Sequence, residues 1–407
     1  MSKLQKVVKQ IILGGIMYKR KLVSILVDRL SEPRQFLQIV TGPRQTGKTT
    51  AVLQALKDLS INSHYVSADD PNLIGSEWLR NEWEQARAIA KGKEAVLVID
   101  EIQKIKDWSS MVKLLWDEDS RALSPLKVVL TGSSSLLLQK GLSESLMGRF
   151  EVLYSPHWNY SECKEAFNYS FDDFLFFGGY PGAASLIKDE NRWARYMGTS
   201  IMEPTISQDI LMMAEVRKPA LLRSLFMLGS AYSAQELSYT KMLGQLQDAG
   251  NTITLAHYLE LLCKANILTG LQKYSGNQIR TRTSSPRLMV YDTSLMTYAE
   301  GSNRRRLLDN PADRGRLVES AVGAYLLSRG REEGFEVYWW RERGDEVDFV
   351  IKKGSQLTAL EVKSGRIKNT GGSLIFKKLY PDALSLIVGS VNCNLEDFLL
   401  GKRELLI

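Results

Sequence analysis

The stretch Gly42-Pro43-Arg44-Gln45-Thr46-Gly47-Lys48-Thr49 constrains this chain more than any other, because G-x-x-x-x-G-K-T specifies a loop that wraps phosphate. Residues 36–40 before it read as a short buried strand, and residues 50–57 after it have helical spacing. The loop therefore falls between a strand and a helix start, where backbone N–H groups and the helix N-terminus can surround phosphate oxygens. In that arrangement Lys48 reaches the β- and γ-phosphates of a nucleotide, and the Thr49 hydroxyl ligates Mg²⁺. Gly42 to Gly47 form the cradle, with Thr50 behind it, and the glycines permit backbone geometry that a Cβ would forbid.

Residues 95–99 (Ala-Val-Leu-Val-Ile) form a continuous apolar run, as expected of a central parallel strand buried on both faces. The run ends in Asp100-Glu101. This pair is placed to hold Mg²⁺ through Asp100 and to orient an attacking water through Glu101. A third strand, 127–131, ends at Thr131 and Ser133, the position from which AAA-type ATPases sense the γ-phosphate. Residues 135–149 read as a helix and turn that carry Arg149 toward the ligand edge of the sheet. There an arginine either stabilises transition-state charge on a neighbour's nucleotide or makes a surface salt bridge. These features predict a nucleotide hydrolase.

With 407 residues, 44% of them hydrophobic, the chain can bury cores for about two to four domains. The net charge of +7 invites a nucleic-acid reading, but residues 1–30 hold seven Lys or Arg against one Asp, leaving about +1 for the rest. The three cysteines, Cys163, Cys263 and Cys393, are widely spaced, which suits a reducing cytoplasm and no disulfide framework. The apolar run at 11–17 is too short to span a membrane. A basic amphipathic helix leading into 22–30 is expected instead.

The pattern divides the chain into a basic helical segment (1–30), an α/β ATPase core with a parallel sheet (31–160), a helical lid (161–215), a winged-helix-like unit (216–299), a linker (300–312) and a separate α/β unit (313–407). Trp108 and Trp116, on one face of a helix at 107–116, are read as packing residues. Ser233-Ala-Gln-Glu236 has the S-x-x-E form of a capping box. Helix 254–262, strand 267–274 and strand 288–291 give the helix–helix–wing order, with Arg280, Arg282 and Arg287 in and after the turn. The exposed positions of that helix are not basic, so DNA binding and protein docking both stand open. In the last unit, strands at 336–340, 346–351 and 357–363 follow a helix at 316–327 and precede a helix at 374–379 and a strand at 384–388. Asp348 lies mid-strand, and Glu361 and Lys363 project from one face of the next strand. Together with Glu319 on the preceding helix, this is a metal-and-lysine cluster of the kind restriction nucleases use: Asp348, Glu361 and Glu319 for Mg²⁺, Lys363 for water. The bland reading is a salt-bridged polar strand face.

The segments "GPRQTGKTT", "VLVIDEIQKI", "LTGSSSLLL" and "SLMGRF", with "GGYPG", "PRLMVYDTSL" and "WWRERGDEVDFVI…ALEVKSG" further on, resemble a group of prokaryotic AAA-like ATPases. That group carries a winged-helix region and a C-terminal domain like the PD-(D/E)XK restriction endonucleases. The resemblance implies Lys48, Thr49, Asp100 and Glu101 as the ATP site with Thr131 and Arg149 beside them, and Glu319, Asp348, Glu361 and Lys363 as the nuclease-like cluster. The expected cofactors are ATP and Mg²⁺. The expected partners are DNA or RNA and further copies of the chain, with no membrane and a cytoplasmic location. An ATPase acting on nucleic acid is one expectation; a signalling ATPase whose C-terminal units are protein-docking scaffolds is the other.

Overall fold

The computed structural model describes residues 18–69, 75–132, 146–211, 216–247, 250–276, 285–301, 303–365 and 371–405. The expected helix over 1–17, Ser133, most of the 135–149 helix, Arg280 and Arg282 lie outside the described residues.

Five parallel strands form the first sheet: β1 (Leu37–Thr41), β2 (Asn62–Ser67), β3 (Ala95–Asp100), β4 (Leu126–Gly132) and β5 (Phe150–Tyr154), in the order β2-β3-β4-β1-β5. Every residue of β3 and β4 is buried, because helices cover both faces. Alternation decides which residue faces which layer. Leu97, Ile99, Val128 and Leu130 meet Trp83 of α3 (Gly75–Ala90) and Trp108, Val112, Leu115 and Trp116 of α4 (Trp108–Arg121). Val96, Val98 and Val129 meet Leu22 and Leu26 of α1 (Lys21–Ser31) and Ala51, Val52 and Ala55 of α2 (Lys48–Asp58). Trp108 and Trp116 are packing residues, as read from their spacing. The fifth strand had no distinct pattern of its own. It exists because it pairs with β1 from Leu37↔Phe150 to Thr41↔Tyr154.

Beyond β5 run α5 (Tyr160–Phe167), α6 (Phe171–Phe177) and α7 (Glu190–Tyr196), then π-helical turns at Met197–Met202 and Thr205–Ile210. Next come α8 (Pro219–Ala231), β6 (Gln235–Glu236), α9 (Tyr239–Gln245), α10 (Thr252–Lys264), β7 (Leu268–Leu271) and β8 (Arg287–Val290), with an antiparallel sheet in the order β6-β8-β7. The expected capping box at Ser233 is not formed. Gln235 and Glu236 are strand residues, the Ser233 hydroxyl bonds Ser320 instead, and Ser238 caps α9. Two boxes do form, Asn159 with Glu162 and Ser170 with Asp173.

The expected linker at 300–312 is helical: α11 (Thr293–Glu300), α12 (Arg304–Asp309) and then α13 from Pro311 to Glu333. Asn303 and Asn310 cap the two later helices, and Arg304 pairs with Asp173 at 2.6 Å, so this charge run is not a free connector. The last sheet, β12-β11-β10-β9, comprises β9 (Glu336–Glu342), β10 (Asp345–Lys353), β11 (Gln356–Val362) and β12 (Leu384–Val388), with α14 (Gly371–Leu379) between the last two strands and α15 (Leu395–Leu399) after them. Only β12 runs parallel to its neighbour. The units from residue 158 onward share one large core, and the last sheet has a smaller one of its own around Trp340, Val347, Val350 and Phe376. One continuous apolar cluster joins Trp158 and Phe177 to Leu225, Leu262, Val290, Val322, Phe349 and Phe398.

One buried side chain ties the phosphate loop to this framework. Arg20, 6% exposed, donates through Nη1 to the Thr46 carbonyl, the Ser155 hydroxyl and the Pro156 carbonyl, each at 3.1 Å. Its Nε and Nη2 make a two-pronged pair with Glu162 at 2.7 and 3.0 Å. Arg20→Met is expected to cost about 3–5 kcal/mol in denaturant unfolding, since Glu162 stays buried without its cation. Adding Glu162→Leu should recover part of that loss.

Candidate functional site

The loop leaves β1 at Gly42, where φ is +152° and a Cβ would stand 2.1 Å from the Ser155 carbonyl oxygen. Only glycine lets β1 pass that close to the chain leaving β5. Thr46 is fully buried, and its carbonyl accepts from both Arg20 and Trp158 Nε1, at 3.1 and 2.8 Å. Gly47 then takes a left-handed conformation (φ +90°) as the cap of α2, and Lys48 opens the helix. The Lys48 amine turns back into the loop and donates to the carbonyls of Gly42 (3.0 Å) and Pro43 (2.7 Å). Burial pulls its pKa down to about 8, against Glu101, Asp100 and Asp209, which favour its charge.

The sheet order sets what faces this loop. β4 lies between β1 and β3, so the strand ends at Thr41, Thr131 and Asp100 are neighbours. Asp100 collects three hydroxyls: Thr49 on Oδ2 at 2.9 Å, Tyr65 on Oδ2 at 2.6 Å, and Thr131 on Oδ1. Burial and the Asp100 charge raise the Tyr65 phenol pKa, which keeps it a donor. Thr131 also accepts from the Glu101 backbone N–H at 3.4 Å, so it positions the acidic pair rather than pointing freely at a ligand. Glu101 has φ +55°, a conformation of order 1–3 kcal/mol above the relaxed backbone for a non-glycine residue. Its carboxylate accepts from Gln103 Nε2 at 2.5 Å. Strain at the residue expected to address water is where a fold stores it for function.

The exposed rim of the loop is fastened to the helices above it. Arg44 Nε donates to Asp209 Oδ2 at 2.6 Å; Gln45 donates to the Ser200 carbonyl and accepts from the Tyr196 hydroxyl, both at 2.6 Å. The "GGYPG" segment lies against the same region because a Cβ on Gly179 would stand 2.1 Å from the Trp158 carbonyl oxygen, beside the buried Asp292 carboxylate that accepts the Gly179 N–H at 2.7 Å.

Arg149 is not at the ligand edge. Its carbonyl accepts from Leu37 N–H at the start of β1, whereas the phosphate loop follows the other end of that strand. Five residues of strand separate the two by roughly 13 Å. The guanidinium forms a two-pronged pair with Asp117, at 2.8 and 3.1 Å, so within one chain Arg149 serves the α4 side of the core.

The C-terminal residues converge on one another. Asp348 stands opposite Glu361, one step along from the Phe349/Leu360 pair, at a register break between Val347 and Val350. Asp348 Oδ2 accepts from Val362 N–H at 2.7 Å; Glu361 accepts from Ser373 N–H (2.9 Å) and hydroxyl (2.6 Å) and pairs with Lys363 at 2.9 Å. Glu319 is held by Arg287, which also pairs with Glu346 at 2.5 Å and lies 3.9 Å from Asp348. Burial pushes both Asp348 and Glu319 up in pKa, against the Arg287 charge. The Glu319, Asp348 and Glu361 carboxylates expected around a metal thus lie in an ion network in which Arg287 and Lys363 supply the positive charge. Among the described residues no group of three or more His, Cys, Asp or Glu is arranged to hold a metal. The sequence placed Arg287 only near a turn, and nothing local marked it as the partner of a distant acidic cluster. Arg20, Tyr65 and Asp209 were missed likewise, each acting across a long separation in the chain.

Comparison with known proteins matches residues 34–164 to the AAA domain. Two further profiles, each described only as a domain of unknown function, match residues 168–306 and 314–401. An uncharacterized protein of Methanocaldococcus jannaschii is 25% identical over 337 residues, 77% of this chain and 72% of that protein. An uncharacterized protein of Mycobacterium tuberculosis is 26% identical over 329 residues, 80% of this chain and 69% of its own length. Among solved structures, the replication initiator DnaA bound to AMPPCP and single-stranded DNA is similar at a TM-score of 0.33 and 17% identity, covering 60% of this chain and 89% of that one. No described helix is long and apolar enough to cross a membrane. What the chain shares with known families is an AAA domain at residues 34–164, followed by two regions whose relatives have no assigned activity.

Proposed function

We propose that the chain binds and hydrolyses ATP at the loop over β1. The observation that carries this reading is the convergence of Lys48, Thr49, Asp100, Glu101 and Thr131 on three adjacent strand ends. The donor set suits a magnesium nucleotide. Thr49 and Asp100 offer hard oxygens 2.9 Å apart, and the Lys48 amine, now bonded to two loop carbonyls, can turn those bonds over to phosphate oxygens. Mg²⁺, when bound there, would neutralise charge developing on the phosphates. Thr131 and Tyr65 hold the Asp100 carboxylate in place, and Glu101 takes the role of orienting the attacking water. Lys48→Ala is expected to abolish nucleotide binding in calorimetry. Glu101→Gln should bind as the parent does and release phosphate at least about a hundredfold more slowly.

Lys48 adds a pH signature. Its pKa in the free protein is about 8, and a bound phosphate raises it. Below pH 8 the amine is charged in both states and affinity is flat. Above pH 8 binding must take up a proton, so affinity falls by up to about tenfold per pH unit. Calorimetry in buffers of different ionisation enthalpy should show the uptake above pH 8 and none at pH 7.

For the units after residue 216, the α8-β6-α9-α10-β7-β8 order with β8 central supports a winged-helix reading. The α13-β9-β10-β11-α14-β12 order, with β12 parallel to β11, supports a nuclease-like fold. The outward residues of α10 include Thr252, Ile253, His257 and Glu260, which lack the cations that phosphate contacts need. The nuclease-like carboxylates are committed to Arg287 and Lys363. We therefore favour the signalling form of this ATPase, with these units as docking modules; nucleic-acid binding is the second reading, supported by topology. Arg287→Met should lower the melting temperature, corresponding to at most about 3–5 kcal/mol, because three half-buried carboxylates lose the one buried cation they share. EDTA should leave the parent protein's melting unchanged. Restoration of the variant by Mg²⁺ or Mn²⁺, with cleavage of DNA or RNA, would return the metal-nuclease reading.

A further inference from the structure

Arg44 lies inside the phosphate loop, yet its guanidinium engages a carboxylate brought in from another unit. Asp209 is 5% exposed and sits in the π-helical turn Thr205–Ile210, 2.6 Å from Arg44 Nε. Next to it in the loop, Gln45 is bound to Ser200 and Tyr196 of the same helical segment. Burial opposes the Arg44 charge, while Asp209, then Glu101 and Asp69, favour it; Asp209 acts on Lys48 as well. An acidic side chain thus occupies the electrostatic position of an anion at the rim of an anion-binding loop. π-Helical turns are rare and recur at functional sites. Building on the ATP-hydrolase reading, the geometry points to Asp209 as an internal substitute for the terminal phosphate of ATP, and to Arg44 as the residue that exchanges Asp209 for that phosphate.

The chemistry of the exchange is simple. A carboxylate and a phosphoryl group are both oxyanions that a guanidinium fork can bind through two donors. They cannot both sit against Arg44 and Lys48 in a partly dehydrated mouth without strong mutual repulsion. ATP therefore displaces Asp209, and the turn that carries it moves with it. ADP has no terminal phosphate to contest Arg44, so Asp209 keeps its place. The loop in this way counts phosphates, and the count is delivered to the segment 197–210. Gly198 in that segment packs on Tyr298 of α11, because a Cβ there would stand 2.7 Å from the Tyr298 hydroxyl, so displacement reaches the C-terminal units.

The test uses the full chain, competition titrations with ATP and ADP, and hydrogen exchange over peptides spanning 197–211. Arg44→Ala should weaken ATP about tenfold while leaving ADP within about twofold, and Arg44→Lys should restore part of the difference. Asp209→Asn keeps an oxygen for Arg44 without the charge. It should tighten ATP by about fivefold and abolish the ATP-induced rise in exchange over 197–211 that the parent shows. Equal weakening of ATP and ADP by Arg44→Ala, or exchange in the parent that does not respond to ATP, overturns the proposal while leaving the hydrolase reading intact. A parent protein that binds neither nucleotide, behaving as Lys48→Ala should, overturns the hydrolase reading itself and this proposal with it.

Discussion

The arrangement rests on one buried guanidinium. Arg20 stands at the entry to α1 and reaches three parts of the fold at once: the phosphate loop at Thr46, the chain leaving β5 at Ser155 and Pro156, and Glu162 in α5. A charge this deep is tolerated only because its donors are paired and its partner is a carboxylate in good geometry. The Trp158 ring lies 5.2 Å from it, and the indole N–H shares the Thr46 carbonyl. The loop that must present N–H groups to phosphate is thereby fixed from behind, with its carbonyl side already satisfied. Its front stays polar and adjustable.

From this anchor the molecule divides unequally. The first sheet has apolar layers of its own on both faces, whereas the elements after Trp158 share one large core, with a smaller cluster under α14. The bridges between the two are polar and few in kind. Arg331 at the end of α13 donates to Tyr154 of β5 at 2.9 Å, Arg44 pairs with Asp209 and Gln45 with Ser200 and Tyr196, each at 2.6 Å; within the second part, Tyr160 bonds Glu396 at 2.6 Å and Asp292 accepts from Gly179. Burial pushes Asp292 up to about 6, against the hydrogen bonds from Ser294 and Gly179 that favour its charge. Polar bridges of this sort can be exchanged at lower cost than apolar packing can be repacked.

What the sequence made legible was local. The strand–loop–helix around Gly42 to Thr50 is fixed by residue type at short range, as are the buried run into Asp100-Glu101 and the strand reaching Thr131. Strand β12 was read at the same residues the structure shows, since apolar runs bounded by turn residues declare themselves. The errors were of long range. β5 is too short and mixed to announce itself without β1 beside it. Nearness in sequence to the sheet's ligand edge points Arg149 there, but its carbonyl bonds Leu37 at the opposite end of β1. Asp348, Glu361, Lys363 and Glu319 were rightly brought together, because strand alternation and pairing put them there. Their meaning changed with Arg287, a cation supplied from another sheet. Charge complementarity between distant segments leaves no periodic trace in a single sequence.

The shared core has a consequence for how this chain can be dissected. Boundaries drawn by profile, near 168 and 314, fall between elements that bury the same apolar surface. A fragment ending before α13 would bare the face that Leu317, Val322 and Leu326 cover, and a fragment beginning there would bare the α13 surface that Met289 of β8 covers. Each piece would expose apolar surface that the other covers. The last two regions therefore bury much of their apolar surface against each other, and a cut between them exposes it on both sides.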